Sequence, residues 1–399
     1  MTVCKFSGAL VNWAVRRFQD KPVRNQNPTS GAMKINHLRS KIVLVAVVLC
    51  LIGAVGVFVF RTPILSLVIQ FAVKYRLTDS TIVKLPDGLH VGLCGAGAQL
   101  LVDPKRSEPC VIVLAGKSLF IVDVGSKSTQ MIEGMGFGAG DVNAVFLTSP
   151  RSHRINGLGQ LLTWNWMLSG KAEPIPVYGP EGVEGIVSGL QQTYLPDSRY
   201  KLAQLDTANI QATGFGGRPV TVNIASKTES VTLIKTPDLE VIAFPLDQFP
   251  SDHSVGYLFR YKGRSAVITG DSLKSNNIKT YSKDVDLLVH DALSPTLMRF
   301  YLAGARRAGF PSVIDLFSKM VALQATPDEA AATARDANAK FLLLAGITPP
   351  LSLPGTEQIF MGASNDIFSG PIKIGRDGDF VSLPANSSEI SFKSILSRL

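Results

Sequence analysis

The chain is short of three things. Beyond residue 41 it has no broad excess of positive charge, it has no internal repeat, and it has only five histidines in 399 residues. The first absence matters because the formal net charge is +9. Residues 1–41 hold eight Lys or Arg against Asp20 alone, so +7 of that charge sits in the N-terminal tail and only +2 is spread over the rest. The main body thus lacks the broad positive excess expected of a nucleic-acid binder, with room left only for a local patch. No G-x-G-x-x-G stands in "GLCGAG", 92–97, so a nucleotide cradle is excluded there and a tight turn is expected. Low complexity is confined to "TGFGGRP", 213–219. Cysteine is sparse as well. Cys4 and Cys50 lie in the tail and an apolar run, while Cys94 and Cys110 flank a strand–loop–strand, where a disulfide and two buried thiols both remain open.

The second paragraph of the molecule, so to speak, is an uninterrupted apolar run. "IVLVAVVLCLIGAVGVFVF", Ile42 to Phe60, contains no charged residue. As a helix it would reach about 28 Å, close to the hydrocarbon thickness of a bilayer. A cleaved signal peptide would be shorter and end at an A-x-A-like site, but this run ends "FVFRTP". An uncleaved transmembrane helix is therefore expected at 42–60, with 1–41 as a basic cytoplasmic tail and 61–87 as a juxtamembrane linker. The basic flank places the N-terminus in the cytoplasm and the main domain, 88–399, outside, as in a bacterial inner-membrane protein facing the periplasm. Met33 opens a compact basic lead-in, "MKINHLRSK", which makes residues 1–32 a candidate over-extension of the start.

From residue 88 onward, β-branched apolar runs such as "CVIVLAG", "SLFIVDVG", "NAVFLTS", "SAVITGDS", "DLLVHDAL" and "KFLLLAGI" alternate with helical patterns at 154–169, 181–194, 295–308, 312–323 and 327–338. Before the last of these, "ATPDEAA" offers Thr326 as cap, Pro327 for the first turn and two acids for the helix dipole. Neighbouring strands in both halves imply two packed sheets covered by helices.

Seven segments then fall in an order that resembles the metallo-β-lactamase superfamily, nearest its ribonuclease Z-like and arylsulfatase-like hydrolases. They are "FIVDVGS", "VFLTSPRSHRINGLGQLL", "PIPVYGPEGV", "HSVGYLFRYKGRSAVITGDS", "DLLVHDAL", "QATPDEAA" and "LLLAGITPP". The resemblance spans roughly residues 88–385 and implies an α/β fold, the αββα sandwich of that superfamily, here preceded by one transmembrane helix. It also implies a two-zinc site in which histidines and carboxylates hold an acidified water.

Residue by residue, the implied ligands are missing. The histidines of the family's T-H-x-H-x-D-H turn correspond to Ser149, Arg151 and Arg154, and its aspartate to His153. Two further ligand histidines correspond to Gln248 and Gly346, and the acid/base histidine to Gln324. Asp271, the bridging carboxylate, is the metal-shell member that remains, while Asp123 and His290 correspond to supporting residues, His290 donating to the loop beneath the site. A guanidinium is charged at any ordinary pH and cannot ligate zinc. A buried Asp271 without metal needs a counter-charge, which Arg151 or Arg154 can supply.

Two functions follow from different classes. One is a membrane-anchored pseudoenzyme, a binding or scaffold module that holds no metal or other cofactor and meets an anionic small molecule at its arginines. The other is an active hydrolase of phosphodiesters or sulfate esters, with zinc on a rearranged site of His153, His253 and Asp271. tRNA processing fits the nearly neutral domain and its expected extracytoplasmic address badly, so no nucleic-acid partner is expected. Arg299, Arg306 and Arg307 in "LMRFYLAGARRAGF" suit either phosphate or lipid headgroups, or simply a solvated helix face.

Overall fold

The computed structural model describes residues 41, 43–50, 61–74, 80–98, 103–205, 210–226, 228–246 and 254–396. It divides into two compact units, Met1–Tyr75 and Arg76–Leu399. In the first, residues 43–50 and 61–74 are helical and their large apolar side chains, such as Leu44 and Phe71, are exposed. Among the described residues no helix is long and apolar enough to cross a membrane. The expected span 42–60 lies partly outside them, since residue 42 and residues 51–60 are not described, and neither is the basic tail 1–40.

The second unit is built from two sheets. The larger orders its eight strands β15–β14–β1–β2–β3–β4–β5–β6, and the smaller orders seven as β13–β12–β11–β10–β9–β8–β7. In the first sheet β1 is Gly88–Gly95, β2 Cys110–Ala115, β3 Ser118–Val122, β4 Val142–Phe146, β5 Ile175–Gly179, β6 Gly217–Thr221, β14 Asp379–Pro384 and β15 Ser391–Ser394. In the second, β7 is Val231–Lys235, β8 Leu239–Pro245, β9 Val255–Tyr261, β10 Arg264–Ile268, β11 Leu287–Leu293, β12 Leu342–Thr348 and β13 Ile372–Ile374.

Strands buried on both faces explain why the apolar runs in the sequence are nearly continuous. In β2, Val111 and Val113 point into the core between the sheets, against Val241, Phe259 and Ile268 of the other sheet. Their neighbours Ile112 and Leu114 point the opposite way, into a layer that includes Leu158 and Leu161 of the helix Leu158–Ser169. The same period of two splits β11, with Leu287 and Val289 between the sheets and Leu288 packed with Ala330 and Ala334 of the helix Pro327–Asp336. The result is helix, sheet, sheet, helix. Thr326 caps the last helix in a full capping box with Glu329.

Two local expectations change. "GLCGAG" is no tight turn, because Gly92–Gly95 complete β1 and Gly97 bridges to Ile347. Gly95 is required there, since a Cβ would collide with the carbonyl oxygen of Glu108 in the bend that leads into β2. The glycine-rich "TGFGGRP" likewise runs into β6, the edge strand of the larger sheet.

Cys94 and Cys110 are joined by a disulfide, with Cα atoms 4.9 Å apart across the β1–β2 pair. The full chain carrying Cys94→Ser and Cys110→Ser is expected to lose about 2–3 kcal/mol in denaturant unfolding, and reductant is expected to lower the wild type to the same midpoint. Equal midpoints with and without reductant would contradict a bridged pair.

Candidate functional site: an arginine among three buried carboxylates

The parallel strands β3 and β4 of one sheet and β10, β11 and β12 of the other deliver the site at or just beyond their C-terminal ends. This is where α/β sheets commonly present side chains for chemistry. Asp123 follows β3 with φ of 58°, and its carboxylate accepts the Thr148 backbone N–H and hydroxyl, each at 2.8 Å. Thr148 opens the loop after β4, which carries Ser149 and Arg151 and turns into the short helix Ser152–Ile155 bearing His153 and Arg154. Gly270, with φ of 66° and no room for a Cβ against Thr148, lets the chain turn after β10 to present Asp271. Asp291 comes from β11.

Arg154 is the centre. Its Nη1 donates to Asp123 Oδ2 at 2.6 Å, and its Nη2 to Asp271 Oδ1 at 2.9 Å and to Asp291 Oδ2. All four side chains are at most 5% exposed. Asp271 gathers further donors. Gln324 Nε2 lies 2.7 Å from its Oδ1, His153 Nε2 is 2.7 Å from its Oδ2, and Arg151 Nη1 approaches the same oxygen at 3.4 Å. Arg151 is the more open partner, its side chain 28% exposed.

Burial works to raise the pKa of all three carboxylates. At Asp271 the charge of Arg154 and the bond from His153 overcome it and hold the group well below the usual carboxylate range. At Asp123 and Asp291 burial wins and the pKa is raised, despite Arg154. Burial also opposes the charge on Arg154, but Asp271, Asp291 and Asp123 together outweigh it and push its pKa upward. The guanidinium is thus permanently cationic, and the cluster is an ion network rather than a titratable base.

The predicted residues therefore divide. Ser149, Arg151, His153, Arg154, Asp271 and Gln324 come together with Asp123. Among the described residues, the Ser149 and Gln324 side-chain oxygens, His153 Nδ1 and Arg154 Nε are buried without a hydrogen-bond partner. Gly346 belongs to β12 at φ of 50°, and a Cβ there would collide with the Asp291 carboxylate. His290 is buried, which lowers its pKa, and its Nδ1 lies 2.7 Å from the carbonyl oxygen of its own neighbour Asp291. Among the described residues its Nε2 has no hydrogen-bond partner. Gln248 and His253 lie outside the described residues. Asp291 was missed, and the signal for it was at hand, an acid immediately after His290 in a strand otherwise wholly apolar.

The donor set does not suit zinc. Among the described residues no group of three His, Cys, Asp or Glu side chains is disposed to hold a metal ion. The buried imidazole, His153, has its Nε2 turned to Asp271, and the three carboxylates each face a guanidinium that cannot ligate.

Comparison with known proteins places this geometry. No family model matches the chain. The ribonuclease Z of Mycobacterium bovis (strain BCG / Pasteur 1173P2) is 26% identical over 291 residues, 72% of this chain and 96% of its own length. That of Mycobacterium marinum is 27% identical over 293 residues, with the same coverage. Among solved structures, the short form of human tRNase Z superposes with a TM-score of 0.53 at 20% identity, covering 74% of this chain and 99% of that one. The metallo-β-lactamase fold protein YhfI of Bacillus subtilis gives 0.51 at 16% identity, covering 74% and 100%. The two-sheet architecture is thus the metallo-β-lactamase fold. In sequence the chain is similar to these ribonucleases Z over nearly their whole length.

Replacing Arg154 by Met, which keeps length but removes charge, would leave Asp123, Asp271 and Asp291 buried without their shared cation. A loss of about 3–5 kcal/mol at pH 7 is expected. The sign of the pH response gives a second check. A carboxylate whose folded pKa is raised favours the fold when protonated, so its stability contribution falls as pH rises through that pKa. Without Arg154 all three groups join that class. The melting temperature of the variant should climb from pH 7 to pH 5 by more than that of the wild type.

Proposed function

We propose that this chain is a membrane-anchored protein in which a hydrolase fold serves as a binding or scaffold module, its zinc chemistry replaced by an ion cluster. The observation that carries the reading is Arg154, bonded to three buried carboxylates at the junction of both sheets. In this reading the positions Ser149, Arg151, His153, Arg154, Gln248, Asp271 and Gly346 stand where relatives of the fold keep metal ligands. The charge that divalent cations would supply comes instead from guanidinium groups. Gln324 stands at the acid/base position and donates to Asp271 at 2.7 Å, so it holds the carboxylate rather than moving a proton. Arg151, partly open to solvent beside this cluster, is the place where an anionic small molecule would be met.

The anchor rests on the apolar run Ile42–Phe60 and its basic flank. The Cys94–Cys110 disulfide supports an oxidising compartment for the main domain, hence an extracytoplasmic address. That address, with the nearly neutral charge beyond residue 41, speaks against a nucleic-acid partner.

Full-length protein purified in detergent, loaded with zinc and desalted, is expected to retain far less than one equivalent by elemental analysis and to cleave neither phosphodiesters nor sulfate esters. Stoichiometric zinc that vanishes in His153→Ala would reverse the conclusion in favour of a rearranged site on His153, His253 and Asp271. Topology has its own measurement. Protease added to intact spheroplasts should degrade the main domain, and protection until lysis would refute the proposed orientation.

A further inference from the structure

Between β11 and the helix Pro327–Asp336 the chain makes an excursion that the ion cluster does not use. It is a hairpin of two helices, Pro295–Ala308 and Pro311–Met320. Their inner faces close a small core of their own, with Met298, Phe317 and Met320 packed on Leu293. Gly309, at φ of 72°, stops the first helix in the left-handed conformation, and Pro311 starts the second. Phe310 is thereby left at the turn, 59% exposed.

The outer face of the first helix pairs charge with aromatic surface. Arg299, Arg306 and Arg307 are exposed there beside Phe300, itself 61% exposed. Spacings of seven and eight residues put Arg306 and Arg307 on the same side as Arg299, two turns along, and opposite Leu297 and Met298. Among the described residues these three arginines make no ion pair, and Arg299 bonds only Thr296 Oγ1, at 3.3 Å. The one ion pair on the hairpin is Lys319 with Asp315, 2.7 Å apart. Four cations thus face a single acid across residues 295–320.

We infer that the turn of this hairpin docks on an anionic phospholipid surface, with Phe310 and Phe300 at headgroup depth and the arginines on lipid phosphates. Exposed aromatic rings gain by leaving water at such an interface, and guanidinium groups meet phosphates with a matching fork of donors. Charge complementarity selects an anionic lipid surface over a neutral one. The inference deepens the membrane-anchor reading and rests on it for proximity, since the run Ile42–Phe60 would hold the chain at a bilayer. With that tether, a weak surface contact suffices.

The test uses the full chain with Cys4→Ser and Cys50→Ser, reconstituted in vesicles of phosphatidylcholine alone or with phosphatidylglycerol. A spin label is placed in turn at Phe310→Cys, at Val47→Cys in the apolar run, and at Tyr200→Cys as an exposed control. In anionic vesicles the label at 310 is expected to become more accessible to oxygen than to a water-soluble nickel chelate, and to revert in phosphatidylcholine alone. Arg306→Gln with Arg307→Gln should lower the docked-to-free ratio about twenty-five-fold, that is, fivefold for each arginine. A label at 310 as nickel-accessible as that at 200 in both lipids overturns the inference, including in favour of an acidic protein partner. The label at 47 separates the two readings. If 47 is lipid-shielded and 310 is wet, the anchor stands and the hairpin contact falls. If 310 is shielded only in anionic vesicles while 47 is wet, the contact stands without the anchor.

Discussion

Everything at the mouth of this fold is organised by one guanidinium. Three carboxylates cannot be buried side by side without a cation, since each unpaired charge costs several kcal/mol. Arg154 meets Asp123, Asp271 and Asp291 with two of its nitrogens, and so ties the end of β3, the loop after β4, the end of β10 and β11 to one point. The two sheets, which also meet across Phe146, Tyr257 and Phe259 and through the Tyr257 hydroxyl donating to the Leu147 carbonyl oxygen, are joined there by charge. A salt cluster of this kind orders a site as a metal would, but it offers no open coordination position and acidifies no water.

The architecture was legible where burial is uniform. Strands β2, β3, β4, β11 and β12 stand out in the sequence because both of their faces are covered, and the capping box at Thr326 marked its helix to the residue. Legibility failed where burial is partial or the backbone is crowded. β13 and β15 went unrecognised because they are edge strands, only three and four residues long, and half exposed. "GLCGAG" was read as a turn because its glycines look like punctuation, whereas Gly95 is there to admit the Glu108 carbonyl beside the strand.

At the site, the sequence order of seven segments was enough to gather Asp123, Ser149, Arg151, His153, Arg154, Asp271 and Gln324. It could not say which arginine would carry the load, because Arg151 and Arg154 are three residues apart in a loop and only the turn of the short helix Ser152–Ile155 decides which one goes inward. Asp291 stood out as an acid in an apolar strand, but that it meets Arg154 depends on the space left by Gly346 on the neighbouring strand, which the sequence does not display. Side-chain chemistry was readable one position at a time; the coupling between positions was not.

The contact between Gly346 and Asp291 has a consequence for how such a protein can change. A histidine placed at 346 would strike the Asp291 carboxylate before it reached any ion. Removing Asp291 first would unbalance the guanidinium, and removing the guanidinium first would strand three acids. Each single step toward a metal centre would cross a valley of stability, while drift along the exposed hairpin or the edge strands crosses none. The cluster therefore acts as a ratchet, holding the fold to its present chemistry while leaving its surfaces at liberty to acquire new work.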